Sequence, residues 1–328
     1  MPQLLKHKQI NKTAWDTCIE GSAQKQVYAL SWYLDIVSPE WQAVVEEDNG
    51  TYTCVMPLPV RQKFGIFYLQ QPLFCQQLGI YAVQEPRAEV VEAFLAVVQQ
   101  HFNYTSGYTF CTANTQSLQH VVRQEEVQVL YTHYLPLQYS YDQLWKGYNR
   151  DRKYNLNKAR RESLSLVQSQ DIEPLIHLFR QNIEHKVYGG VDQSAYTTLR
   201  QLYTACVEKG KAELVYTVSE DGSIAAGGLF VYYGGYIIYL FNAADAKGRK
   251  SNGRTLILDD IIRRNAGTRQ ILDFESPMIE NIAGFYHSFG SMPVPFYEWR
   301  YNRLPLPFRL LKQVRQEVLL TFQRRQQQ

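Results

Sequence analysis

The strongest constraint on how this chain folds is that it carries one pattern twice. A strand leading into a glycine turn is followed by a strand with a Tyr-Leu core, a polar loop, an amphipathic helix and an apolar strand that closes on Phe. The first copy runs from Thr51 to Arg61, then Gly65, Phe67-Tyr68-Leu69, the loop from Gln70 to Tyr81, the helix from Arg87 to His101, and Tyr108-Thr109-Phe110. The second runs from Ser223 to Tyr233, then Gly235, Ile238-Tyr239-Leu240, the loop from Asn242 to Gly253, the helix from Arg254 to Asn265, and Leu272-Asp273-Phe274. Tyr239 follows Tyr68 by 171 residues and Leu240 follows Leu69 by the same interval, while Phe274 follows Phe110 by 164 after a shorter helix. Self-similarity at a steady offset marks a fused and diverged duplication. The chain is therefore read as α/β (α+β), two copies of one unit.

Length agrees with this, since 328 residues suit two domains at roughly 150 residues each. The expected boundaries are residues 1–138, residues 139–305 and a C-terminal amphipathic helix in 306–328 that packs back across the junction. That helix, Phe308 to Arg325, places Leu311, Val314, Val318 and Phe322 on one stripe, the pattern of a helix docked on protein. A net charge of +3 is too small to imply a nucleic-acid footprint by itself. The five cysteines, Cys18, Cys54, Cys75, Cys111 and Cys206, show no C-x-x-C spacing and read as reduced thiols of a cytoplasmic protein. Met1 to Lys8 lacks the apolar segment of a secretory signal, and no run approaches the roughly 20 apolar residues of a membrane span.

Local signals place most elements. A helix from Lys12 to Gly21 places Ala14, Trp15, Cys18 and Ile19 at helical spacing, and a hairpin turned at Asp48-Asn49-Gly50 joins Trp41–Glu46 to Thr51–Arg61. One helix is expected from Ser140 to Ser163, another from Asp171 to Lys186 with Asp171 as N-cap, and a third from Gln193 to Glu208 ending at Gly210. Strands follow over Ala212–Ser219, Ala225–Tyr233 and Tyr236–Asn242. A last helix is expected from Ile279 to Phe289.

Two clusters could carry chemistry. The helix after Ser140 holds the densest basic run in the chain, with Lys146, Arg150, Arg152, Lys153, Lys158, Arg160 and Arg161 interleaved with Tyr148, Asn149, Tyr154 and Asn155. Such a run can hold a phosphate-bearing ligand, face an acidic partner, or be a solvated face. Tyr148, Arg152, Lys153, Asn155 and Lys158 are its candidate substrate contacts, with His185 and Tyr188 in the polar loop after the next helix. Asp273 and Glu275 lie at the end of a strand, two residues apart and so on one face. A carboxylate there can act as a general base toward an amine if burial raises its proton affinity; capping a helix or pairing with Arg is the alternative. No H-E-x-x-H, G-x-S-x-G, G-x-G-x-x-G or P-loop motif occurs, which removes support for zinc-protease, hydrolase, Rossmann and nucleotide-triphosphatase readings. No metal site is expected.

The element order, the run Tyr154-Asn155-Leu156-Asn157-Lys158-Ala159-Arg160-Arg161, the strand end Leu272-Asp273-Phe274-Glu275 and the helix end Phe285-Tyr286-His287-Ser288-Phe289-Gly290 together resemble the Fem peptidyltransferases and their tandem GNAT acyltransferase relatives. The resemblance covers nearly the whole chain. It implies two GNAT-like domains, each a mixed, mostly antiparallel sheet that splays in the middle, flanked by helices. It also implies acyl-CoA as donor, held by Lys250, Ser251, Asn252, Gly253 and Arg254 before a helix, with glycine permitting close approach of the diphosphate. The first copy's loop, Gln70 to Gly79, has no basic residue and is expected to shape an acceptor surface instead. Tyr286 stands where GNAT enzymes often carry the acid for the leaving thiolate. It also replaces the lysine of the Fem pattern, which disfavours aminoacyl-tRNA as donor.

Two functions are consistent with these residues. One is transfer of an acyl or aminoacyl group to an amine, such as a small molecule or a cell-wall or glycan precursor, with Glu275 as base and Tyr286 as acid. The other is a non-catalytic protein of the same fold that binds a phosphorylated or glycan ligand.

Overall fold

A computed structural model describes residues 1–84, 86–119, 121–162, 164–187 and 190–306. The first half contains β1 (Gln3–Leu5), α1 (Lys12–Gly21), α2 (Ser31–Val37), β2 (Gln42–Asp48), β3 (Thr51–Leu58), β4 (Val60–Lys63), β5 (Ile66–Gln70), β6 (Tyr81–Ala82), α3 (Ala88–His101), β7 (Tyr104–Thr109), α4 (Thr115–Leu118) and β8 (Val127–Pro136). The second contains α5 (Tyr141–Gly147), α6 (Arg150–Ala159), β9 (Ser165–Ser169), α7 (Glu173–Asn182), α8 (Gln193–Glu208), β10 (Ala212–Val218), β11 (Ile224–Tyr233), β12 (Tyr236–Ala244), α9 (Ala246–Lys250), α10 (Gly253–Asn265), β13 (Ile271–Asp273), α11 (Glu280–His287) and β14 (Met292–Asn302). The internal repeat is visible in these elements. β5, α3 and β7 of the first half correspond to β12, α10 and β13 of the second.

A small antiparallel sheet runs β1-β2-β3-β6, and a ten-stranded sheet runs β4-β5-β7-β14-β8-β13-β12-β11-β10-β9. The long strand expected over Thr51–Arg61 is broken after Leu58, so β3 stays in the small sheet and β4 enters the large one. Pro59 sits at the break, where a residue without an N–H cannot serve a ladder.

The two halves exchange their final strands. β8 follows β7 in the chain but pairs with β13 of the other half, Leu135 opposite Leu272. β14 follows β13 and pairs with β7, Trp299 opposite Tyr108. The exchanged strands also pair with each other, from Met292 opposite Tyr134 to Trp299 opposite Val127. One buried cluster accordingly runs through both halves, from Trp15, Tyr28 and Tyr33 to Leu229, Val231 and Ile238, while a second surrounds α10 with Ile257, Leu258, Ile261 and Phe230.

The parallel pair β12–β13 opens. It is matched only at Tyr236–Ile271, Ile237–Leu272 and Ile238–Asp273, while β12 continues to Ala244. The corresponding opening in the first half is filled by its own loop. The Gln71 N–H bonds to Gly107, the Leu78 N–H bonds to Thr109, and Leu78 bridges Phe110.

Several local expectations change. The helix expected over Ser140–Ser163 is two helices, because Asn149 turns its carboxamide onto the Arg152 N–H (2.7 Å) and caps α6; asparagine competes with helical backbone in this way. α7 starts at Glu173 rather than Asp171, whose carboxylate takes the Glu173 N–H at 2.9 Å. α2, and α9 within the loop after β12, carry too few turns for a periodic signal. The expected helix over Phe308–Arg325 lies outside the described residues.

Candidate functional site

Residues of α6, the segment after β12, the start of α10 and α11 line a cavity of about 260 Å³. Its walls include Arg152 and Asn155 from α6, Asn252 and Arg254 from the start of α10, and Phe285 from α11. Arg152 and Asn155 are three residues apart and share a helix face. The break at Asn149 thus turns one face of the basic run inward.

Arg152 is buried at 6 % exposure. Its Nε donates to Ser288 Oγ at 2.8 Å and its Nη1 to Thr255 Oγ1 at 2.5 Å. Its guanidinium lies over Phe285 and Phe289, at 4.2 and 4.7 Å from the ring centroids, and Arg254 lies 5.1 Å from the Phe285 centroid. Among the described residues neither arginine is in an ion pair. Burial, and then the neighbouring Arg254 charge, pull the Arg152 guanidinium down to about 10. Asn252, in the left-handed region at φ +60°, precedes α10 without capping it, so the first N–H groups of that helix have no side-chain partner from it. Two guanidinium groups outside any ion pair among the described residues, beside a helix N-terminus without a side-chain cap, have the chemistry to hold a polyanion.

The remaining residues expected at the donor loop lie outside the cavity lining. Ser251 is buried and bonds to the Lys247 carbonyl at 2.8 Å, and Lys250 is exposed. A Cβ on Gly253 would sit 2.6 Å from Thr217 Oγ1 and 3.1 Å from Ala226 Cβ. Its missing side chain lets α10 approach the sheet closely.

The other residues of the basic run are also sorted by the fold. Tyr148 is buried and bonds to Asp259 at 3.2 Å, Lys153 donates to the Lys146 carbonyl at 3.1 Å, and Lys158 is half-buried away from the cavity lining. Arg160 pairs with Asp259 at 3.1 Å. His185 is exposed on the turn after α7. Tyr188 lies outside the described residues.

Glu275 lies just beyond β13 in the left-handed region, at φ +45°. The strand alternation expected to place it beside Asp273 has ended. Instead the Glu275 N–H donates to Asp273 Oδ1 at 2.9 Å, and Asp273 also accepts from Thr132 Oγ1 at 2.7 Å. The Glu275 carboxylate accepts a hydrogen bond from the Tyr28 hydroxyl of the first half. Burial raises Glu275 to about 8, with the Asp273 charge adding and Tyr28 opposing. Burial also raises Asp273 to about 6.

Tyr286 is buried on α11, stacked on Phe274 at 4.8 Å, and burial raises it to about 12 against the opposing effects of Arg254 and Asn242. Arg254 Nη1 in turn donates to Asn242 Oδ1 at 3.0 Å. Asn242 belongs to the stretch of β12 beyond its pairing with β13, so it links the cavity to Tyr286. At the point of parting, the Tyr239 hydroxyl is buried without a hydrogen-bond partner among the described residues. The first half's loop lies across the same opening: Phe74 meets Phe241 edge-on at 6.0 Å, and Gln76 donates to the Ser276 carbonyl at 3.5 Å.

Sequence reasoning missed Tyr28, Asn242 and Thr255. Tyr28 sits in a single turn, Val27–Ala29, 247 residues from its partner, and neither periodicity nor motif spacing reports such a contact.

Residues 150–275, from the start of α6 to Glu275, match the family described as the acetyltransferase (GNAT) domain. The fold is similar to that of FemX over 94 % of this chain and 99 % of that one, with a TM-score of 0.64 and 12 % identity. It is also similar to a tandem GNAT protein from the clavulanic acid biosynthesis pathway, over 93 % and 99 % of the two chains, with a TM-score of 0.53 and 13 % identity. A GNAT-family acetyltransferase from Colwellia psychrerythraea aligns over 92 % of this chain and 100 % of its own, with a TM-score of 0.51 and 11 % identity. A search of the curated proteins finds no match in sequence. Residues 150–275 match the GNAT domain family, and the whole chain has the tandem GNAT fold seen in FemX and the clavulanic acid pathway protein.

Proposed function

We propose that the second half of the chain transfers an acyl group from acyl-CoA to an amine. The observation that carries this reading is the buried Arg152 guanidinium, outside any ion pair among the described residues and facing Arg254 across Phe285 at the N-terminus of α10. These groups fit the diphosphate of the donor, whose thioester supplies an activated carbonyl. Glu275, still protonated near neutral pH and free to ionise above about 8, takes the proton of the attacking amine. Tyr286, tied to the cavity through Asn242, gives its proton to the leaving sulfur. Tyr28, Phe74 and Gln76 of the first half close the acceptor side, where a small amine or a cell-envelope precursor would enter.

The test is thermal stability in acetyl-CoA and longer acyl-CoAs, with free thiol release measured against a panel of amines. A ligand at ~100 times its Kd stabilises by roughly 2.7 kcal/mol, and at the same ligand concentration Arg152→Gln should cut that shift to about half or less. Absence of any shift with acyl-CoA or CoA rejects the reading. A second reading, ligand binding without transfer, is favoured by Gly253 packing on Thr217 rather than lining a phosphate loop. Under it, phosphorylated compounds raise the melting temperature but no thiol is released with any amine.

A further inference from the structure

Among the described residues, three two-residue turns have positive φ at both central positions: Asn49-Gly50 at +49° and +81°, Phe64-Gly65 at +51° and +77°, and Gly234-Gly235 at +61° and +88°. Each closes a hairpin whose flanking residues pair directly: Asp48 with Thr51, Lys63 with Ile66, and Tyr233 with Tyr236. This turn favours Asn, Asp or Gly at its first position, because a Cβ there crowds the backbone. Two of the three obey the rule. The third holds Phe64, which is also 86 % exposed. Neither turn geometry nor packing within the chain accounts for a phenylalanine in that place. Strain and exposed apolar surface together point to a contact outside the chain.

The surroundings specify the contact. Phe67, on the same hairpin, is 51 % exposed. The hairpin and the turn after β1 border a recess of about 740 Å³, to which Lys6, Lys8 and Arg61 contribute cations and Glu40 the one carboxylate among its lining residues. Lys63 lies beside Phe64, its ammonium 5.6 Å from the ring centroid. Among the described residues none of these four cations is in an ion pair. An aromatic tip beside lysines and an arginine that outnumber the one neighbouring carboxylate and are not ion-paired matches the layered chemistry of a bilayer surface, apolar just below a plane of phosphates.

We propose that the β4–β5 hairpin docks the protein on an anionic lipid surface, with Phe64 entering the interface and Lys6, Lys8, Arg61 and Lys63 set against phosphate headgroups. The attachment is peripheral: among the described residues no helix is long and apolar enough to cross a membrane. It stands apart from the acyl-transfer cavity, so either proposal can fail alone.

The experiment is co-sedimentation of the full chain with vesicles of phosphatidylglycerol and phosphatidylcholine, against vesicles of phosphatidylcholine alone. Binding is expected only to the first and is released by high salt. Phe64→Asn restores a residue that the turn prefers, so it keeps or raises the melting temperature while weakening vesicle binding about tenfold. Lys63→Glu or Arg61→Glu weakens it about fivefold or more. Phe64→Trp provides a local probe whose emission shifts to the blue on the anionic vesicles. No binding to those vesicles, binding that Phe64→Asn leaves unchanged, or an indole emission of the Phe64→Trp variant that does not move overturns the proposal; the last two are what a different docking face would give.

Discussion

Tyr28, in a turn of the first half, donates its hydroxyl hydrogen bond to the carboxylate of Glu275, two residues beyond β13 of the second half. The candidate base is thus set by both copies of the duplication. Tyr28 acts on it in one direction, since its hydrogen bond favours the ionised carboxylate while burial disfavours it. If Glu275 is the base, kcat/KM for thiol release should rise with pH to a plateau above about 8. Tyr28→Phe should move that acid limb to higher pH, by up to about one unit, without changing the KM for acyl-CoA. A profile unmoved by Tyr28→Phe would separate Glu275 from the proton transfer.

The same carboxylate governs stability. Glu275 holds its proton to about 8 in the folded chain, against an ordinary value of 4.5. Between those values the folded state carries one more proton than the unfolded state, so this group's contribution to stability falls as pH rises from about 4.5 to about 8. Glu275→Gln removes the penalty. Urea unfolding should find the variant more stable than the parent at pH 8.5, by up to about 4–5 kcal/mol, with the two within about 1 kcal/mol at pH 5, although transfer activity is lost.

Arg152 and Arg254 are expected to act on donor affinity. Glutamine at either position should weaken acyl-CoA binding by about 10- to 100-fold, in keeping with ~1.5–3 kcal/mol for a charged hydrogen bond. Titration calorimetry reads this directly. Lys153→Gln is the control, because its ammonium is spent on the Lys146 carbonyl, and it should leave affinity within about twofold.

Tyr286→Phe keeps the stacking on Phe274 and removes only the hydroxyl. The expected result is a fall in kcat of roughly 100-fold with KM little changed, the signature of a lost general acid. An equal loss in binding would assign Tyr286 to the donor pocket instead.

The strand exchange predicts how the chain unfolds. β8 is paired with β13, and β14 with β7, so neither half can leave without stripping a strand from the other. Residues 1–138 and 139–328 expressed separately should lack cooperative melting by circular dichroism, and co-expression should restore a complex that purifies together. Independent folding of either piece would contradict the exchange.

Much of this was legible in the residues. The offset between Tyr68 and Tyr239 gave the duplication, Asn49-Gly50 gave a hairpin, and the helical spacing of Ala14, Trp15, Cys18 and Ile19 gave α1, because each is a local preference repeated over a few residues. The basic run after Ser140 was also visible, but charge alone does not separate Arg152, which enters the cavity, from Lys153, which does not. That distinction follows from the break at Asn149 and from the face of α6 that it turns inward.

By itself the sequence determined the two units, most of their elements, and the chemical types at the candidate site, since helix periodicity, turn preferences and carboxylate or guanidinium chemistry act within short stretches of chain. Only the tertiary structure decided that the halves share one sheet by trading β8 and β14, that Gly253 serves packing, and that Tyr28 reaches Glu275. Those outcomes depend on contacts between residues far apart in the chain, chosen by how two apolar surfaces bury each other, and no local pattern encodes which distant partner wins.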